Sequence, residues 1–320
     1  MRKLIVSNLN DAKSILDKNL NLIIPTETVY GLAGNIFEDE AIENIFKLKN
    51  RPATNPLIVH IKSLESLSDV AVDIPDKAYE LANKFWPGPL TLVLKKKQTI
   101  SDLITAGKST VAVRVPSHST TQSLLTMLDY PLAAPSANPY GLVSPTSSAH
   151  AYRYFGDKVD VLEGGKCDYG IESTIIGFEG ENPIIHRYGS LSLEQIQNKV
   201  GDLDIDNMAN SDPIAPGMVS KHYSPTTPLI LAEDIHSEIE KNRGKKLGLL
   251  MSKTIYNDRA KSTIIVINNK SNQTLAAQNL YADLNHMDSL NLDLIIAEKW
   301  EDSGLGKSIN DRLSRASINN

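Results

Sequence analysis

A stretch without hydrophobic periodicity, from Gly201 to Pro228, divides this chain of 320 residues into two parts. The stretch contains four prolines and few apolar residues, a composition typical of an extended linker. A chain of this length is also too long for one ordinary core. We therefore predict a first domain at 1–202, a linker at 203–227 and a second domain at 228–320.

Before the linker, short runs typical of strands alternate with helical patterns. The predicted strands are NLIIP, PLIVHI, LTLVL, TVAVRVP, YPLAA, STIIGF and PIIHRY. Helices are predicted between them, and the first of these is expected to be capped by Asn10 or Asp11 and to run through Leu20. This mixture favours an α/β fold with a large mixed sheet.

After the linker, strands and helices alternate more regularly. The strand candidates are PLILA, KLGLLM, STIIVI and LDLIIA, an order that favours a small doubly wound, Rossmann-like domain. The segment GLGKS at 304–308 suggests a phosphate-binding loop, but Glu301 stands where that motif needs its first glycine. We therefore interpret the segment as a glycine turn before a helix.

Composition excludes several classes of protein. The net charge of −5 argues against a broad electrostatic binder of nucleic acid, so any anion site must be local. Cys167 is the single cysteine, which excludes an internal disulfide and a cysteine-rich zinc site. The N-terminal segment lacks a signal-peptide cleavage pattern and the chain has no apolar run of membrane-spanning length. A cytoplasmic protein is expected.

A basic stretch, KLKNRPATNPLIVH, runs from Lys47 to His60. Cations at the end of a helix are favoured by the helix dipole, and for Lys47 this ordinary interpretation suffices. Proline at position 52 takes Arg51 out of the helix, so Lys49 and Arg51 can converge on one anion. Phosphate fits this pair best, because arginine offers a planar fork and lysine a compact charge.

Other polar groups follow predicted strands, where α/β sheets build their sites. In VAVRVPSH, alternation places Arg114 on the face opposite the valines. It is either half of a structural pair with a carboxylate or a clamp for a substrate anion. The remaining polar loops are PTETVYGLAG, APSANPYGLVSPT, GIESTII and HRYGS. The sequence shows no activated nucleophile or metal-ligand spacing, and His60 is by default a core histidine.

The segments PTETVYGL, KLKNRPATNPL, FWPGPLTLVL, VAVRVP, APSAN, GIESTII and RYGS together resemble the YrdC-type domain. The later segments APGMVSKHYSPTTPL and GLGKSINDRLSRA resemble the two-domain form of the threonylcarbamoyl-AMP synthase family. The resemblance covers essentially the whole chain. It implies a YrdC-type twisted mixed sheet with helices, followed by a linker and a small Rossmann-like α/β domain.

The resemblance also implies an activity. The family is a group of nucleotidyltransferases that condense L-threonine, bicarbonate and ATP to threonylcarbamoyl-AMP and pyrophosphate. Mg²⁺ is expected to arrive with ATP, without protein ligands or an organic cofactor. A downstream threonylcarbamoyl transferase then modifies tRNA, and direct contact between this chain and tRNA is not expected. The competing hypothesis is a translation factor of the same fold that binds RNA without catalysis.

Site residues follow from the same resemblance, position by position. Lys49 and Arg51 are the expected catalytic residues. ATP is expected to contact Lys49, Arg51, Asn55, Thr110, Ser136, Asn138, Ser144, Arg187 and Tyr223. Threonine is expected to contact Thr28, His60, Arg114, Ala134 and either Ser173 or Thr174. We also hypothesise that the linker segment MVSKHYSP is a lid, with a passive tether as the alternative.

Overall fold

The computed structural model describes most of the chain, namely residues 5–206, 222–252, 264–268 and 271–317. Contacts divide it into two compact units, Met1–Tyr140 with Ser144–Val219 and Gly141–Val143 with Ser220–Asn320. The short stretch Gly141–Val143 thus groups with the C-terminal part, although it lies within the N-terminal part of the sequence. The predicted domain and linker boundaries stay a prediction.

The first unit is built on one large sheet, which has eleven strands among the described residues. They are β1 (Ile5–Val6), β2 (Leu22–Ile24), β3 (Gly31–Asn35), β4 (Ile58–His60), β5 (Leu90–Lys95), β6 (Thr110–Arg114), β7 (Leu132–Ala133), β8 (Asp160–Leu162), β9 (Thr174–Glu179), β10 (Asn182–Arg187) and β11 (Asp204–Ile205). Their order is β1-β8-β2-β3-β7-β4-β6-β5-β9-β10-β11. Parallel pairs such as β4 with β6 occur beside antiparallel pairs such as β5 with β6. The predicted mixed sheet is confirmed.

Helices connect these strands. They are α1 (Leu9–Leu16), α2 (Asp39–Lys49), α3 (Asp76–Phe85), α4 (Asp102–Thr105), α5 (Ser119–Met127), α6 (Ser148–Phe155) and α7 (Leu193–Val200), with 3₁₀ turns at Leu64–Asp69 and Gly156–Lys158. In α2, Ile42, Ile45 and Phe46 recur at helical spacing and join the main core. The sequence pattern that predicted this helix therefore also fixes which of its faces is buried.

The first helix begins earlier and ends earlier than its sequence predicts. Asn8, rather than Asn10 or Asp11, is the N-cap, and its side chain accepts a hydrogen bond from the backbone N–H of Asn10. The helix ends at Leu16, and Asn19 adopts a left-handed conformation with φ of 59° before Leu20. Asparagine tolerates this conformation better than most residues, so the turn breaks the helical pattern.

The two faces of the central strands differ in what they contact. Val113 of β6 belongs to the main core, whereas its neighbour Ala112 lies in a small cluster with Ile58, Val93 and Ile175. Successive side chains of a strand point to opposite faces of the sheet. The polar side chains two residues from Ala112 and Ile58 therefore share the face with the small cluster.

The predicted linker begins with ordered backbone. β11 pairs in parallel with β10, with Ile184 opposite Asp204 and Ile185 opposite Ile205. The pairing adds an edge strand to the large sheet just before residues that lie outside the described part of the chain. The first half of the segment MVSKHYSP, the predicted lid, also lies outside the described residues.

The second unit has a smaller sheet. Its described strands are β12 (Leu229–Ala232), β13 (Leu247–Met251), β14 (Ile264–Asn268) and β15 (Leu294–Glu298), and its helices are α8 (Ile235–Lys241), α9 (Gln273–Asp288) and α10 (Gly306–Ala316). The strand order is β12-β15-β13-β14, with every pair parallel. The predicted small Rossmann-like domain is confirmed.

The segment GLGKS forms the predicted turn. Gly304 has φ of 53°, a left-handed value that favours glycine, and α10 begins at Gly306.

Across the described part of the chain, no helix is both long enough and apolar enough to cross a membrane.

Candidate active site

Two neighbouring strands place His60 and Arg114 side by side. β4 and β6 run parallel, and His60 stands directly opposite Arg114 in their register. Ile58 and Ala112, two residues earlier on each strand, lie in the small apolar cluster described above. The pattern of alternation predicted that Arg114 faces away from the valines of β6, and the structure confirms it.

Arg114 is held by contacts from two loops. Its Nη2 atom forms an ion pair with Glu27 Oε1 at 2.6 Å. Its Nη1 donates to Thr28 Oγ1 at 2.9 Å, and its Nε donates to the carbonyl oxygen of Gly88 at 3.2 Å. These contacts engage each nitrogen once, and because a guanidinium carries five N–H groups, further donors remain for a ligand. The structural pair and the ligand clamp, left as alternatives by the sequence, are therefore compatible.

The hydrogen bonds around Thr28 fix the direction of its hydroxyl group. Thr26 Oγ1 lies 2.6 Å from the carbonyl oxygen of Val29, and a carbonyl only accepts, so Thr26 is the donor there. Thr28 Oγ1 lies 2.9 Å from Thr26 Oγ1 and must therefore donate to it. The Thr28 oxygen is then free to accept from Arg114, as observed. The loop thus serves to orient the guanidinium.

His60 is a neutral histidine. Burial, followed by the charge of Arg114, lowers the pKa of His60 to about 3. Its Nδ1 lies 3.2 Å from the carbonyl oxygen of Ile58, and since the carbonyl only accepts, Nδ1 carries the proton. Nε2 then bears the lone pair. His60 can therefore accept a hydrogen bond from a ligand without adding a charge beside Arg114.

The end of α2 turns the chain toward a second cluster of polar groups. Asn50 adopts a left-handed conformation, with φ of 51°. Its N–H donates to the carbonyl oxygen of Lys47, and the N–H of Arg51 donates to the carbonyl oxygen of Phe46. This paired arrangement is the Schellman motif, which ends helices at a left-handed residue. The sequence attributed the turn to Pro52, but the structure attributes it to Asn50. Lys47 is exposed, as its ordinary interpretation predicted.

Lys49 is a buried ammonium group. Its side chain is 1% exposed, and Nζ donates to the carbonyl oxygens of Ser136 and Asn138, each at 2.5 Å. Burial, with a smaller contribution from the charge of Arg51, holds the pKa of Lys49 well below its usual range. Among the described residues, the ammonium contacts no carboxylate. The loops at 49–55 and 136–144 are thereby joined around a single positive charge.

Arg51 is fixed by its own loop. Nη2 donates to Asn55 Oδ1 and to the carbonyl oxygen of Pro56, both at 2.7 Å, while Nε donates to the carbonyl oxygen of Asn55 at 3.1 Å. The guanidinium carbon lies 6.0 Å from the ring centre of Tyr140, at the outer limit of a cation–π contact. Tyr140 also donates its N–H to the carbonyl oxygen of Lys49 at 2.7 Å. Arg51 is thus pre-oriented before any ligand binds.

A third polar cluster forms where β9 begins. Ser173 Oγ lies 2.8 Å from Thr91 Oγ1, and Arg187 Nη2 donates to the carbonyl oxygen of Ser173 at 2.8 Å and to its hydroxyl at 3.1 Å. Thr174 is bonded elsewhere, because its hydroxyl donates to the carbonyl of Leu191 at 2.7 Å and accepts from the Leu191 N–H at 3.0 Å. The two adjacent residues therefore differ in how their hydroxyls are used.

The remaining predicted residues are spread more widely: Thr110 lies at the end of β6 opposite to Arg114, Ala134 follows β7, Ser144 lies in the connection between β7 and α6, and Tyr223 lies in the second unit. Thr110 begins β6, and the N–H of Ala134, next to β7, donates to the carbonyl oxygen of Ile58 at 3.0 Å. Ser144 donates to Glu172 Oε1 at 2.7 Å. Tyr223 belongs to the second unit, where its ring stacks on another tyrosine and lies 5.3 Å from the guanidinium of Arg312.

Some residues that shape these clusters are absent from the sequence-based prediction. They are Glu27, Thr91, Tyr140 and Glu172. Glu27 offered a signal, because it stands between two threonines of PTETVYGL and Arg114 required a carboxylate partner. Thr91 and Glu172 offered none, since their partners depend on how distant segments pair in the sheet.

The arrangement defines a class of protein, an α/β protein whose first unit holds buried cations at the ends of β6 and β10 and around the end of α2. Two family models match the chain. A Sua5, YciO and YrdC family described as "Telomere recombination" matches residues 14–189. A family described as "Threonylcarbamoyl-AMP synthase, C-terminal domain" matches residues 191–317.

Known proteins resemble the chain over nearly its whole length. Threonylcarbamoyl-AMP synthase of Pyrococcus abyssi is 39% identical over 308 residues, covering 92% of this chain and 89% of that protein. The enzyme of the same name from Bacillus subtilis is 35% identical over 316 residues, covering 95% of this chain and 91% of that protein. A crystal structure of P. abyssi Sua5 complexed with L-threonine matches with a TM-score of 0.90 and 37% identity, covering 98% and 96% of the two chains.

The chain therefore belongs to the family of two-domain threonylcarbamoyl-AMP synthases. It is an ATP-using synthase whose product is threonylcarbamoyl-AMP, used in the modification of tRNA. The expected fold class and activity are confirmed, and the competing hypothesis of a non-catalytic RNA-binding factor is set aside.

A further P. abyssi Sua5 structure, in which an adjacent histidine and tyrosine are replaced by alanine, matches with a TM-score of 0.90 and 34% identity, covering 99% of this chain and 96% of that chain.

Proposed function

We propose that Lys49 and Arg51 bind the phosphates of ATP and are the catalytic residues of the synthase. The observation that carries the proposal is the buried ammonium of Lys49, which contacts only carbonyl oxygens among the described residues. A buried charge is costly unless an opposite charge compensates it. The triphosphate is the anion among the substrates that best meets this need.

The chemistry requires no side-chain nucleophile. A carbamate formed from threonine and bicarbonate would attack the α-phosphate of ATP, and pyrophosphate would leave. Such reactions are accelerated by positioning and by fixed charges near the departing phosphate. Lys49 and Arg51 supply two such charges, and the carbonyl and amide partners of both hold them in place.

We propose that several of the remaining nucleotide contacts come from the loops that meet at Lys49. Asn55 holds Arg51 through its side-chain oxygen, and Asn138 offers the carbonyl that receives Lys49. The other proposed nucleotide contacts are Thr110, Ser136, Ser144, Arg187 and Tyr223. The P. abyssi variant with an altered histidine–tyrosine pair directs attention to His222–Tyr223, the one such pair in this sequence.

We propose that Mg²⁺ arrives as the ATP complex and supplies charge neutralisation at the phosphates. Within the described ranges, no group of three or more histidine, cysteine, aspartate or glutamate side chains is placed to hold a metal ion. Lys49 and Arg51 would then act beside a nucleotide that already carries its cation.

We propose that the pocket around Arg114 binds threonine, with the guanidinium on the α-carboxylate. P. abyssi Sua5 has been crystallised with L-threonine, which makes an amino-acid pocket in this fold reasonable. Thr28, His60 and the backbone beside Ala134 would line the same pocket. Ser173 rather than Thr174 would face the ligand, because both hydrogen-bonding roles of the Thr174 hydroxyl are taken up by Leu191.

Further partners stay proposals. Bicarbonate would be the third substrate, and a separate threonylcarbamoyl transferase would take up the product. The net charge of −5 favours indirect rather than direct contact with tRNA. The cytoplasmic location and the lid hypothesis for the segment MVSKHYSP also stay predictions.

Pyrophosphate release tests the assignment of the site. The assay supplies ATP and bicarbonate and adds each amino acid singly, and release is expected with threonine. Lys49→Ala and Arg51→Ala are each expected to lose about 2–4 kcal/mol of transition-state stabilisation, by analogy with lost oxyanion donors. Near-normal rates in both variants would show that this loop is not the phosphate site. Release that ignores threonine would contradict the threonine pocket.

A further inference from the structure

Glu27 is a buried carboxylate to which the proposed reaction assigns no role. Its side chain is 1% exposed, and that of its ion-pair partner Arg114 is 4% exposed. Burial alone would raise the pKa of Glu27, but the charge and hydrogen bond of Arg114, helped by backbone N–H groups, outweigh burial and lower it. Glu27 is therefore ionised at neutral pH, within the wall of the proposed threonine pocket.

The charges of the residues grouped around Arg114 cancel. Arg114 contributes one positive charge and Glu27 one negative charge at 2.6 Å. His60 contributes none, because burial and Arg114 lower its pKa to about 3. Thr28, which accepts from Arg114, is neutral. Before ligand binding, the part of the proposed pocket formed by these four residues thus has zero net charge and contains a fixed, buried ion pair.

The balance of charge restricts the ligand. A buried site tolerates a new charge only if an opposite charge compensates it. A zwitterion brings one charge of each sign, so the pocket stays neutral after it binds. An anion would leave one negative charge uncompensated, because Glu27 already neutralises the arginine. A cation would leave one positive charge uncompensated in the same way.

Glu27 also limits how the arginine can turn. Each of the three guanidinium nitrogens has a partner, and the partners come from the loop before β3 and the loop before β5. Glu27 is the only charged group among the three partners, so its contact is the strongest constraint on the orientation of the guanidinium group. The N–H groups that remain for a ligand therefore point in a fixed direction.

We propose that Glu27 is a positioning residue that fixes Arg114 and balances its charge, so that the pocket selects a zwitterionic α-amino acid over an anionic analogue. The proposal rests on the threonine pocket of the proposed function and adds the basis of its selectivity. Glu27 acts through Arg114 and takes no part in bond making or breaking.

The test compares two ligands by calorimetry in the full-length protein. L-threonine is the zwitterion, and 2,3-dihydroxybutyrate is its anionic analogue, with a hydroxyl in place of the ammonium group. The wild type is expected to bind threonine at least about tenfold more tightly. Glu27→Gln makes the pocket cationic, and the ratio of the two dissociation constants is expected to fall at least about tenfold.

Two further variants separate selectivity from stability. Glu27→Asp keeps the charge and is expected to keep the wild-type ratio within about threefold. Glu163 is the matched control, because its carboxylate accepts from Ser148 and from the N–H of Gly165 outside the pocket. Glu163→Gln is expected to lower stability without changing the ratio. Equal weakening of both ligands by Glu27→Gln would show a merely structural role and overturn the proposal.

A measurement on the wild type covers the case in which Glu27→Gln does not fold. Threoninamide is the cationic analogue, and both ions are expected to bind at least about tenfold more weakly than threonine. An anion that binds as tightly as threonine would overturn the neutral pocket. A wild type that binds none of the three ligands would instead overturn the proposed threonine site, so the two failures are distinguishable.

Discussion

Thr174 and Leu191 are joined by two hydrogen bonds through a single hydroxyl group. Thr174 Oγ1 donates to the carbonyl oxygen of Leu191 at 2.7 Å, and the N–H of Leu191 donates back to Thr174 Oγ1 at 3.0 Å. The residue before it, Ser173, instead contacts Thr91 and Arg187. Two adjacent hydroxyls thus serve separate purposes, one holding the start of β9 to the loop before α7 and one lining a polar cluster.

Thr174→Val is expected to destabilise the fold and to spare catalysis. Valine keeps the shape but leaves the Leu191 N–H and carbonyl without their partner, and an unsatisfied buried group costs about 1–3 kcal/mol. Urea unfolding measures this loss, while the KM for threonine is expected to stay within about twofold of wild type. A large rise in the KM for threonine with unchanged stability would show that Thr174, and not Ser173, faces the ligand.

Ser173→Ala is expected to show the opposite pattern. Removing the hydroxyl takes one contact from the Arg187 guanidinium and one from Thr91. We expect the KM for threonine to rise about three- to tenfold, because a lost hydrogen bond typically costs about 0.5–1.5 kcal/mol. Steady-state kinetics measures the change, and Thr174→Val serves as its control. An unchanged KM would remove Ser173 from the threonine pocket.

Lys49→Met is expected to lower activity and to change how stability depends on pH. The pKa of Lys49 is lowered in the folded state, mainly by burial, so the folded protein binds fewer protons than the unfolded chain above that lowered pKa. Wild-type stability therefore rises with pH up to the unfolded value near 10.5. Methionine removes this dependence.

Urea unfolding near pH 7 and near pH 9.5 measures the effect. The stability of Lys49→Met relative to wild type is expected to be greater at the lower pH and to shrink as the pH rises. The loss of activity is expected to be about 10²–10³-fold, as for other lost charge stabilisers. A relative stability that does not change with pH would contradict the lowered pKa.

Arg51→Lys is expected to weaken ATP binding despite the conserved charge. The guanidinium contacts Asn55 twice and Pro56 once, and one ammonium group cannot span these partners. We expect the KM for ATP to rise about tenfold or more, and the KM for threonine to change less than about twofold. Lys47→Ala, at an exposed position in the last turn of α2, is the control and should leave both values unchanged. Equal rises of the two KM values in Arg51→Lys would show a general disturbance of the fold rather than a specific loss of ATP binding.

Much of the site was predictable because strand alternation fixes which side chains share a face. Arg114 lies opposite the valines of β6, as its pattern predicted, and Lys49 and Arg51 flank the end of α2. What the sequence did not reveal depends on pairing between distant segments. Glu27 meets Arg114 only because the loop before β3 lies beside β6 in the folded chain.

Local conformation was also harder to predict than element type. The end of α2 was attributed to Pro52, whereas Asn50 turns the chain in a left-handed conformation. The start of α1 was placed at Asn10 or Asp11, whereas Asn8 caps it. Several residues in each stretch have the chemistry of a cap or a turn, and tertiary packing decides which of them is used.

His60 is expected to make the folded protein lose stability in acid. Its pKa falls from 6.5 to about 3 in the folded state, because burial and Arg114 disfavour the charged ring. The unfolded chain therefore binds one more proton between these values, and stability falls as the pH drops below about 6.5. The full effect, reached below about pH 3, is on the order of 5 kcal/mol.

His60→Gln removes this titration while keeping a polar side chain of similar reach. Urea unfolding at several pH values from about 7 to about 4 should show a shallower loss of stability in the variant than in the wild type. At assay pH above about 6, His60 is already neutral in the fold, so its titration should leave no inflection in the rate profile. Wild-type and His60→Gln stabilities that fall in parallel with pH would show that His60 does not stay neutral in the fold.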